Sequence, residues 1–394
     1  MGQEPVKNWT VDLSGFINAQ VFLDTRKNAE ARSGMFTLYP LKPLYDEAGR
    51  DINDKVNFNQ AAMTTRMRAN IKAPDVWGAD LRGAVEVDFT GVNNLDLNGL
   101  RLREAWIKLA WKSTTLLLGQ YWHPLCIPEA MPRTISLNLG APYHPFSRHN
   151  QIRVQQSIGR FDIIGVAAMQ MDYASEGPVG RSPVYMINAA IPNFDLQLHY
   201  QTRGGQLFGV GAGYKQLLPR LSTELLPGII TKAEDKVHSF AGTFFMKLSS
   251  GIFDFKWQIL WGQNMTEHIM LGGYIESKVD SINNQISYSN TEQFSTWVDL
   301  VTKGKTLRAG LFVGAARNLG YEDPIEGVSY SRGNDIEFSY RISPRLQFHF
   351  NKLMLAGEFE YTTAAYGNPD PNGKIASSGM VGNFRLLLAV FYFF

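Results

Sequence analysis

Apolar side chains recur at every second position along most of this chain. No stretch approaches the roughly 18 consecutive apolar residues that a membrane-crossing helix needs, the longest apolar run being Leu386 to Phe394. A period of two is the signature of a pleated strand. In the first segment Val11, Leu13, Gly15, Ile17, Ala19, Val21 and Leu23 share one face, and Asp12, Ser14, Asn18, Gln20 and Asp24 share the other. A strand of that length is unusual in a small soluble sandwich but suits a tilted strand crossing a membrane. The slightly negative mean hydropathy of −0.17 points toward a soluble protein only until the two faces are separated, because the outer and inner faces of a barrel wall average out.

The next two segments carry charge on one face. Met63, Thr65, Met67, Ala69 and Ile71 alternate with Thr64, Arg66, Arg68, Asn70 and Lys72; Leu81, Gly83, Val85, Val87 and Phe89 alternate with Arg82, Ala84, Glu86 and Asp88. A turn centred on Val76 would set Lys72 opposite Asp80, Arg66 opposite Glu86 and Met67 opposite Val85, bringing both charged faces and both apolar faces together. In that register Arg68 faces only Ala84 and is expected to project free charge. Further alternating segments at about 102–111, 114–122, 150–158, 161–171, 184–191, 194–201, 206–217, 221–231, 237–248, 252–263, 293–302, 305–316, 334–350, 353–363 and 380–394 bring the count to 18, with 16 open because 217–236 is the least regular. Short links at 73–79, 158–160, 192–193 and 303–304 alternate with long ones at 25–56, 123–149, 264–292, 317–333 and 364–379. The expected fold is therefore an all-β, transmembrane antiparallel β-barrel of 16–18 strands with short periplasmic turns and long extracellular loops, one domain over 1–394.

The last strand is apolar at Phe384, Leu386, Leu388, Val390, Tyr392 and Phe394, with Asn383 and Arg385 turned inward. A terminal Phe in this spacing resembles the signal read by the outer-membrane barrel assembly machinery. A greasy edge strand of a soluble protein would share the pattern but would invite aggregation, which closure removes. Phe391 and Phe393 break the alternation and are expected at the periplasmic rim.

Selectivity residues are sought on the inner face. The third long loop, 123–149, is stiffened by Pro124, Pro128, Pro132, Pro142 and Pro145. On the wall, Arg66, Arg68, Lys72, Arg82 and Lys108 stand against Asp80, Glu86, Asp88 and Glu104; such ladders set ion preference in a narrow passage or brace the wall. Gly209, Gly211 and Gly213 on one face would leave a smooth wall for a loop. The eight Trp residues mostly fall near strand ends, as interfacial girdles do.

Several function classes are disfavoured. A net charge of +2 gives no polybasic footprint for nucleic acid, and the single Cys126 excludes an internal disulfide framework. Nucleophile-elbow, zinc-protease and phosphate-loop motifs are missing, and His123, His144 and His149 lack metal-ligand spacing. No catalytic residue, cofactor or metal is expected. The opening Met-Gly-Gln-Glu-Pro-Val-Lys lacks the regions of a signal peptide and is read as a mature or recombinant start, so export is inferred.

The segments Met-Thr-Thr-Arg-Met-Arg-Ala-Asn (63–70), Gly-Ala-Asp-Leu-Arg-Gly-Ala-Val-Glu-Val-Asp-Phe (78–89), Leu-Arg-Leu-Arg-Glu-Ala-Trp (100–106) and Leu-Leu-Gly-Gln-Tyr-Trp (117–122) resemble the DcaP-like porins, clearly over about 10–172 and in strand pattern beyond. The resemblance implies a trimeric Gram-negative outer-membrane channel for small, often anionic organic solutes. It implies that Arg66, Arg68, Arg101 and Arg103 line or approach a constriction, although simple alternation puts Arg101 and Arg103 on the opposite face from Glu104 unless a bulge intervenes. General porins fold the third loop into the lumen. By that likeness Glu129, Arg133, His144 and Arg148 are constriction candidates, the other reading being a loop lying over the mouth. The expected function is passive diffusion of small hydrophilic solutes with a mild anion preference. Expected partners are two further copies of the chain, outer-membrane lipid and lipopolysaccharide, and the assembly machinery through Phe394. Alternatives are a substrate-specific channel for organic acids or sugars, an outer-membrane enzyme, or an extracellular adhesin.

Overall fold

The computed structural model describes residues 9–394; the start read above as mature lies outside them. Sixteen long strands run antiparallel around a closed barrel: β1 (Thr10–Asp24), β2 (Arg66–Val76), β3 (Ala79–Asp88), β4 (Arg101–Ala110), β5 (Thr114–Trp122), β6 (Arg148–Ile158), β7 (Phe161–Met169), β8 (Asn193–Gln201), β9 (Leu207–Leu217), β10 (Val237–Ser249), β11 (Phe253–Gln263), β12 (Gln285–Thr302), β13 (Leu307–Tyr321), β14 (Ile336–Phe350), β15 (Leu353–Pro369) and β16 (Ile375–Phe393). Two shorter strands, Asn57–Ala61 and Gly273–Asp280, raise the sheet to 18. The ring shuts where β1 pairs with β16 from Phe16↔Phe393 to Asp24↔Arg385. The other edge of β1 pairs with β2 over Thr10–Phe16 and with Asn57–Ala61 over Gln20–Asp24. At the break between those two, Thr65 Oγ1 accepts the Asn18 N–H at 3.1 Å in place of a ladder carbonyl.

The alternation reads as a wall between lipid and interior. On β16 Leu388 is 50% exposed while Leu387 is 1% exposed, and Arg385 and Ala389 are buried. Asn18, Gln20 and Asp24 of β1 are likewise buried while Ile17 and Leu23 face out. Turns at one end of the barrel take two to five residues, from 77–78 to 351–352, and the opposite end carries the long loops.

Three expectations need correction. Residues 184–191 are not a strand: Val184–Ala189 is a helix. The run Val-Tyr-Met-Ile is ambiguous between the two states, and Pro183 at the start with Ala190 at φ 57 after the end selects the helical turn. Residues 221–231 form a small hairpin, Ser222–Leu226 with Ile229–Lys232, that pairs with nothing in the barrel. The count of 18 is therefore made up by the two short strands, Gly273–Asp280 within a segment read as a loop and Asn57–Ala61 between the first long link and the segment that begins at Met63. Lastly, β2 and β3 pair two residues away from the expected register: Arg66↔Asp88, Met67↔Val87, Arg68↔Glu86 and Lys72↔Arg82. The turn is Trp77-Gly78, both at positive φ (52° and 74°), the conformation of the tight hairpin whose twist matches its strands. An even shift preserves both faces, so the apolar and charged sides stay as expected.

The interior is filled. Loop 25–56 and loop 123–149 turn inward, and Phe36, Tyr39, Trp122, Tyr143, Phe146, Tyr173, Trp297 and Phe312 form one buried cluster. Wall glycines make room for it: a Cβ on Gly314 would lie 2.7 Å from Tyr143. The room at Gly209 is taken by Phe245 of β10, and the inner loop's Ile127 and Ala130 pack on that ring, so wall side chains and not the loop fill the space that Gly209, Gly211 and Gly213 leave. Phe391 and Phe393 stand at the short-turn end, packed with Phe16 at centroid distances of 5.5 and 6.0 Å. Phe391 pairs with the buried Asn18, so it turns into the barrel rather than toward a lipid-facing girdle. The Trp residues divide: Trp9, Trp77 and Trp111 are exposed near strand ends, while Trp122 and Trp297 are interior packing.

The lipid-facing assignment has a direct test. Leu388→Arg places a cation in the apolar band, and refolding into lipid vesicles should show a loss of about 2–4 kcal/mol; a change below about 0.5 kcal/mol would contradict the assignment.

Candidate functional site

The inner loop 123–149 lies inside the barrel and is held by inward side chains of successive strands. Gln197 of β8 donates to Pro124 O at 2.5 Å and Gln258 of β11 to Leu125 O at 3.0 Å. Lys256 of β11 donates to Met131 O at 2.5 Å. Asp299 of β12 accepts the Arg133 N–H at 3.0 Å, while Arg345 of β14 holds that carboxylate at 2.7 Å. Glu358 of β15 takes two consecutive backbone donors, Ile135 N at 2.7 Å and Ser136 N at 3.2 Å. Arg341 of β14 reaches Ala141 O at 3.0 Å, and also Thr37 O and Leu38 O of loop 25–56 at 3.1 and 3.0 Å. The loop is thus a flap laid against the β8–β15 side, and the opposite wall is the charged one.

On that wall β2, β3 and β4 carry an ion-pair ladder. Arg68 is not free: it donates to Glu86 at 3.1 Å and Glu104 at 3.0 Å, and its guanidinium lies over Trp106. The two-residue register shift brings Glu86 opposite it in place of Ala84. Arg66 approaches Glu86 at 3.6 Å and stacks on Phe16. The pairing of β3 with β4 breaks register between Glu86 and Val87, so that Arg103 is the extra residue between Glu86↔Glu104 and Val87↔Leu102. This bulge turns Arg101 and Arg103 inward together with Glu104 and leaves Leu102 facing out. Arg101 then grips Asp88 with two donors at 3.0 and 2.7 Å, and Arg103 bridges Glu86 at 2.7 Å and Asp88 at 2.9 Å. Four guanidiniums meet three carboxylates here, leaving one positive charge in excess. Arg148 adds a second; it is buried, stacked on Trp122 at 4.7 Å and bonded to Tyr173 Oη at 3.0 Å.

Nearer the short-turn end runs a row of a different kind. Lys72 pairs with Arg82, Arg82 with Lys108, Lys108 with Leu117, and Leu117 with Arg153. All five side chains share the inner face. Of the four cations only Arg82 has a carboxylate partner among the described residues, Asp80 at 2.6 Å. Like charges on directly opposed strand positions are destabilising, so the row carries a cost, whereas in the ladder above it the like pair Glu86 and Glu104 is bridged by Arg68.

No family model matches the chain, and no curated protein matches it in sequence. Solved structures do. The outer-membrane channel DcaP of Acinetobacter baumannii aligns over 98% of this chain and 97% of that one, at 15% identity and a TM-score of 0.69. This chain has the fold of an outer-membrane channel. An anion-selective porin from Comamonas acidovorans aligns over 98% of this chain and 100% of its own length, at 10% identity and a TM-score of 0.57. The trimer form of OmpT, an outer-membrane protein of Vibrio cholerae, aligns over 98% and 99% at 12% identity and a TM-score of 0.55. The likeness in fold extends well past residue 172, where the resemblance in motifs thins.

The remaining candidates divide by exposure. In the inner loop Arg133 is 52% exposed, with Asp254 at 3.6 Å, and Glu129 is exposed as well, whereas His144 is buried against Trp297 and, like Arg148, presents no open charge. Sequence reading passed over Arg153 and the residues that hold the loop (Lys256, Asp299, Arg341, Arg345 and Glu358). Their signal was present as inward polar positions on regular strands, but the loop groups that Lys256, Asp299, Arg341 and Glu358 bond lie more than a hundred residues away.

Glu358→Ala would leave the Ile135 and Ser136 N–H groups without their acceptor, at a cost of about 1–3 kcal/mol for each buried group. Amide exchange at those two positions is expected to accelerate at least about tenfold, with the barrel strands unchanged; unaltered exchange would show that the loop is held elsewhere.

Proposed function

We propose that this chain is an outer-membrane porin that lets small hydrophilic solutes diffuse through its lumen with a preference for anions. The observation that carries the preference is the inner row Lys72, Arg82, Lys108 and Arg153, three of whose four charges lack a carboxylate partner among the described residues. Fixed cations lining a passage through a low-dielectric wall raise the local concentration of anions and repel cations. In the ladder above the row most of the charge is paired, Arg66, Arg68, Arg101 and Arg103 meeting Glu86, Asp88 and Glu104, so that level braces the wall and sets its shape. The inner loop supplies a narrowing element, with Arg133 and Glu129 at its surface.

We read the chain as acting in a homotrimer, by analogy with the trimer form of the Vibrio cholerae protein. Its apolar outer face meets lipid and lipopolysaccharide, and Phe394 is offered to the assembly machinery. A channel is preferred over an outer-membrane enzyme or an extracellular adhesin because the inward polar side chains are engaged in holding loops and in ion pairs, and the outer face is apolar. A second reading, a substrate-specific channel for organic acids, is favoured by a pocket of about 450 Å³ at the long-loop end, where Arg32, Arg101, Arg181 and Arg332 surround Phe146 and Tyr173. Saturation of the current by an organic carboxylate would support that version, and a linear dependence on its concentration would favour plain diffusion.

Reversal potentials across a planar bilayer under a salt gradient test the charge assignment. The wild-type channel should be anion-selective, Arg153→Glu should move the reversal potential toward that of a cation channel, and Arg68→Gln should move it less. Cation selectivity in the wild type, or an unchanged potential in Arg153→Glu, would remove the assignment.

A further inference from the structure

Both hinges of the inner loop carry a histidine. His123 directly follows β5, and His149 is the second residue of β6. A third, His268, reaches them from the helical turn Thr266–His268 in the long loop between β11 and β12. The ring centroids lie 4.5 Å (His123 to His268), 4.8 Å (His123 to His149) and 6.1 Å (His149 to His268) apart, and all three side chains are buried.

The cluster fastens the returning end of the inner loop. Ser147 Oγ is hydrogen-bonded to His268 Nδ1 at 2.7 Å, Phe146 N donates to His268 O at 2.9 Å, and His123 N donates to Ser147 O at 3.1 Å. Leu125 N donates to His123 Nδ1 at 3.2 Å, so that ring nitrogen is unprotonated. His123 Nε2 and both ring nitrogens of His149 are buried and have no hydrogen-bond partner among the described residues. A cavity of about 20 Å³ adjoins them, bounded by His123, Asp195, Lys215, Glu267 and His268.

The charges that face the cluster come from each neighbouring element. Lys215 of β9 is paired with Glu267 of the helical turn at 2.5 Å, and Glu267 also lies 3.4 Å from His268 Nε2. Asp195 of β8 lies 3.5 Å from His123 Nε2, and Arg153 of β6 adds a cation at longer range. Glu267 is already engaged by Lys215, so a second and third positive charge among the closely packed rings find little compensation.

We propose that His123, His149 and His268 form an acid-sensitive latch that fastens both ends of the inner loop while neutral and releases it when the rings are protonated. The latch rests on the reading of the chain as a channel only for its consequence, a pH-dependent current; the fastening itself is independent of that reading. Burial holds His123 and His268 well below the ordinary imidazole range, reinforced at His123 by His268, His149 and Lys215 and at His268 by Lys215. The released state takes up protons with ordinary affinity near pH 6.5 while the packed state refuses them. The fastening is therefore complete above that value and weakens as the pH falls below it.

The test uses the full chain in detergent and then in planar bilayers. Hydrogen exchange over 123–149, corrected for the intrinsic effect of pH, should be slow at pH 7.5 and accelerate at least about tenfold at pH 5, while β1 and β16 stay protected. The bilayer current should gain switching between conductance levels over the same interval. The double variant His149→Gln with His268→Gln should keep the loop protected at pH 5, and His349→Gln, away from the cluster, should respond like the wild type. Wild-type exchange that does not change between pH 7.5 and 5, or a double variant that responds fully, overturns the latch. Acid-dependent exchange without any channel current at pH 7.5 would leave the latch standing and defeat the porin reading instead.

Discussion

Everything in this molecule depends on the pairing of β1 with β16. A strand edge facing hydrocarbon would leave a row of N–H and C=O groups with neither water nor a partner, at several kcal/mol for each group. The only remedy open to a sheet is to close, and nine consecutive residue pairs from Phe16↔Phe393 to Asp24↔Arg385 do so. Once closure is imposed, the pleat has one lipid side and one inner side, and each alternate residue is committed to one of them. The buried pair Arg385 and Asp24, at 2.6 Å, marks the inner side of the seam, while Leu386, Leu388 and Val390 mark the outer.

An inner face of polar side chains creates its own demand, since each such group needs a partner once loops fold over it. Here loops 25–56 and 123–149 supply backbone donors and acceptors to Arg341, Glu358, Asp299, Lys256 and Gln258. Loop and wall satisfy each other, and neither arrangement is complete alone. The bulge at Arg103 belongs to the same logic: it adds one residue so that a third and a fourth guanidinium join a ladder that regular pleating would have sent into the lipid.

The two charged levels of the wall differ in kind. Where Arg66, Arg68, Arg101 and Arg103 interlock with Glu86, Asp88 and Glu104, each guanidinium has a carboxylate partner. Where Lys72, Arg82, Lys108 and Arg153 line up, like charges face each other across the strands. An anion in the lumen would relieve repulsion of that kind, which is why we propose permeation as the role of this level and support as the role of the other.

The class of fold was legible from the chain alone because alternation is a local property: the faces of Val11–Asp24, of 63–72 and of Phe384–Phe394 could be written down before any pairing was known. The inward turn of Arg385 and the room left by Gly209 followed from the same parity. Pairing was not local. Whether Val76 or the Trp77-Gly78 step made the turn shifted a register by two residues, which changed Arg68 from a free charge to a paired one and set Lys72 against Arg82. Whether 184–191 extended or coiled depended on packing against Tyr274 and Leu217, far along the chain. The sequence by itself determined which face of each strand meets lipid, since the pleat repeats every two residues. Only the tertiary structure decided which charges remain unpaired and where the inner loop rests, because those depend on registers and contacts between residues that closure alone brings together.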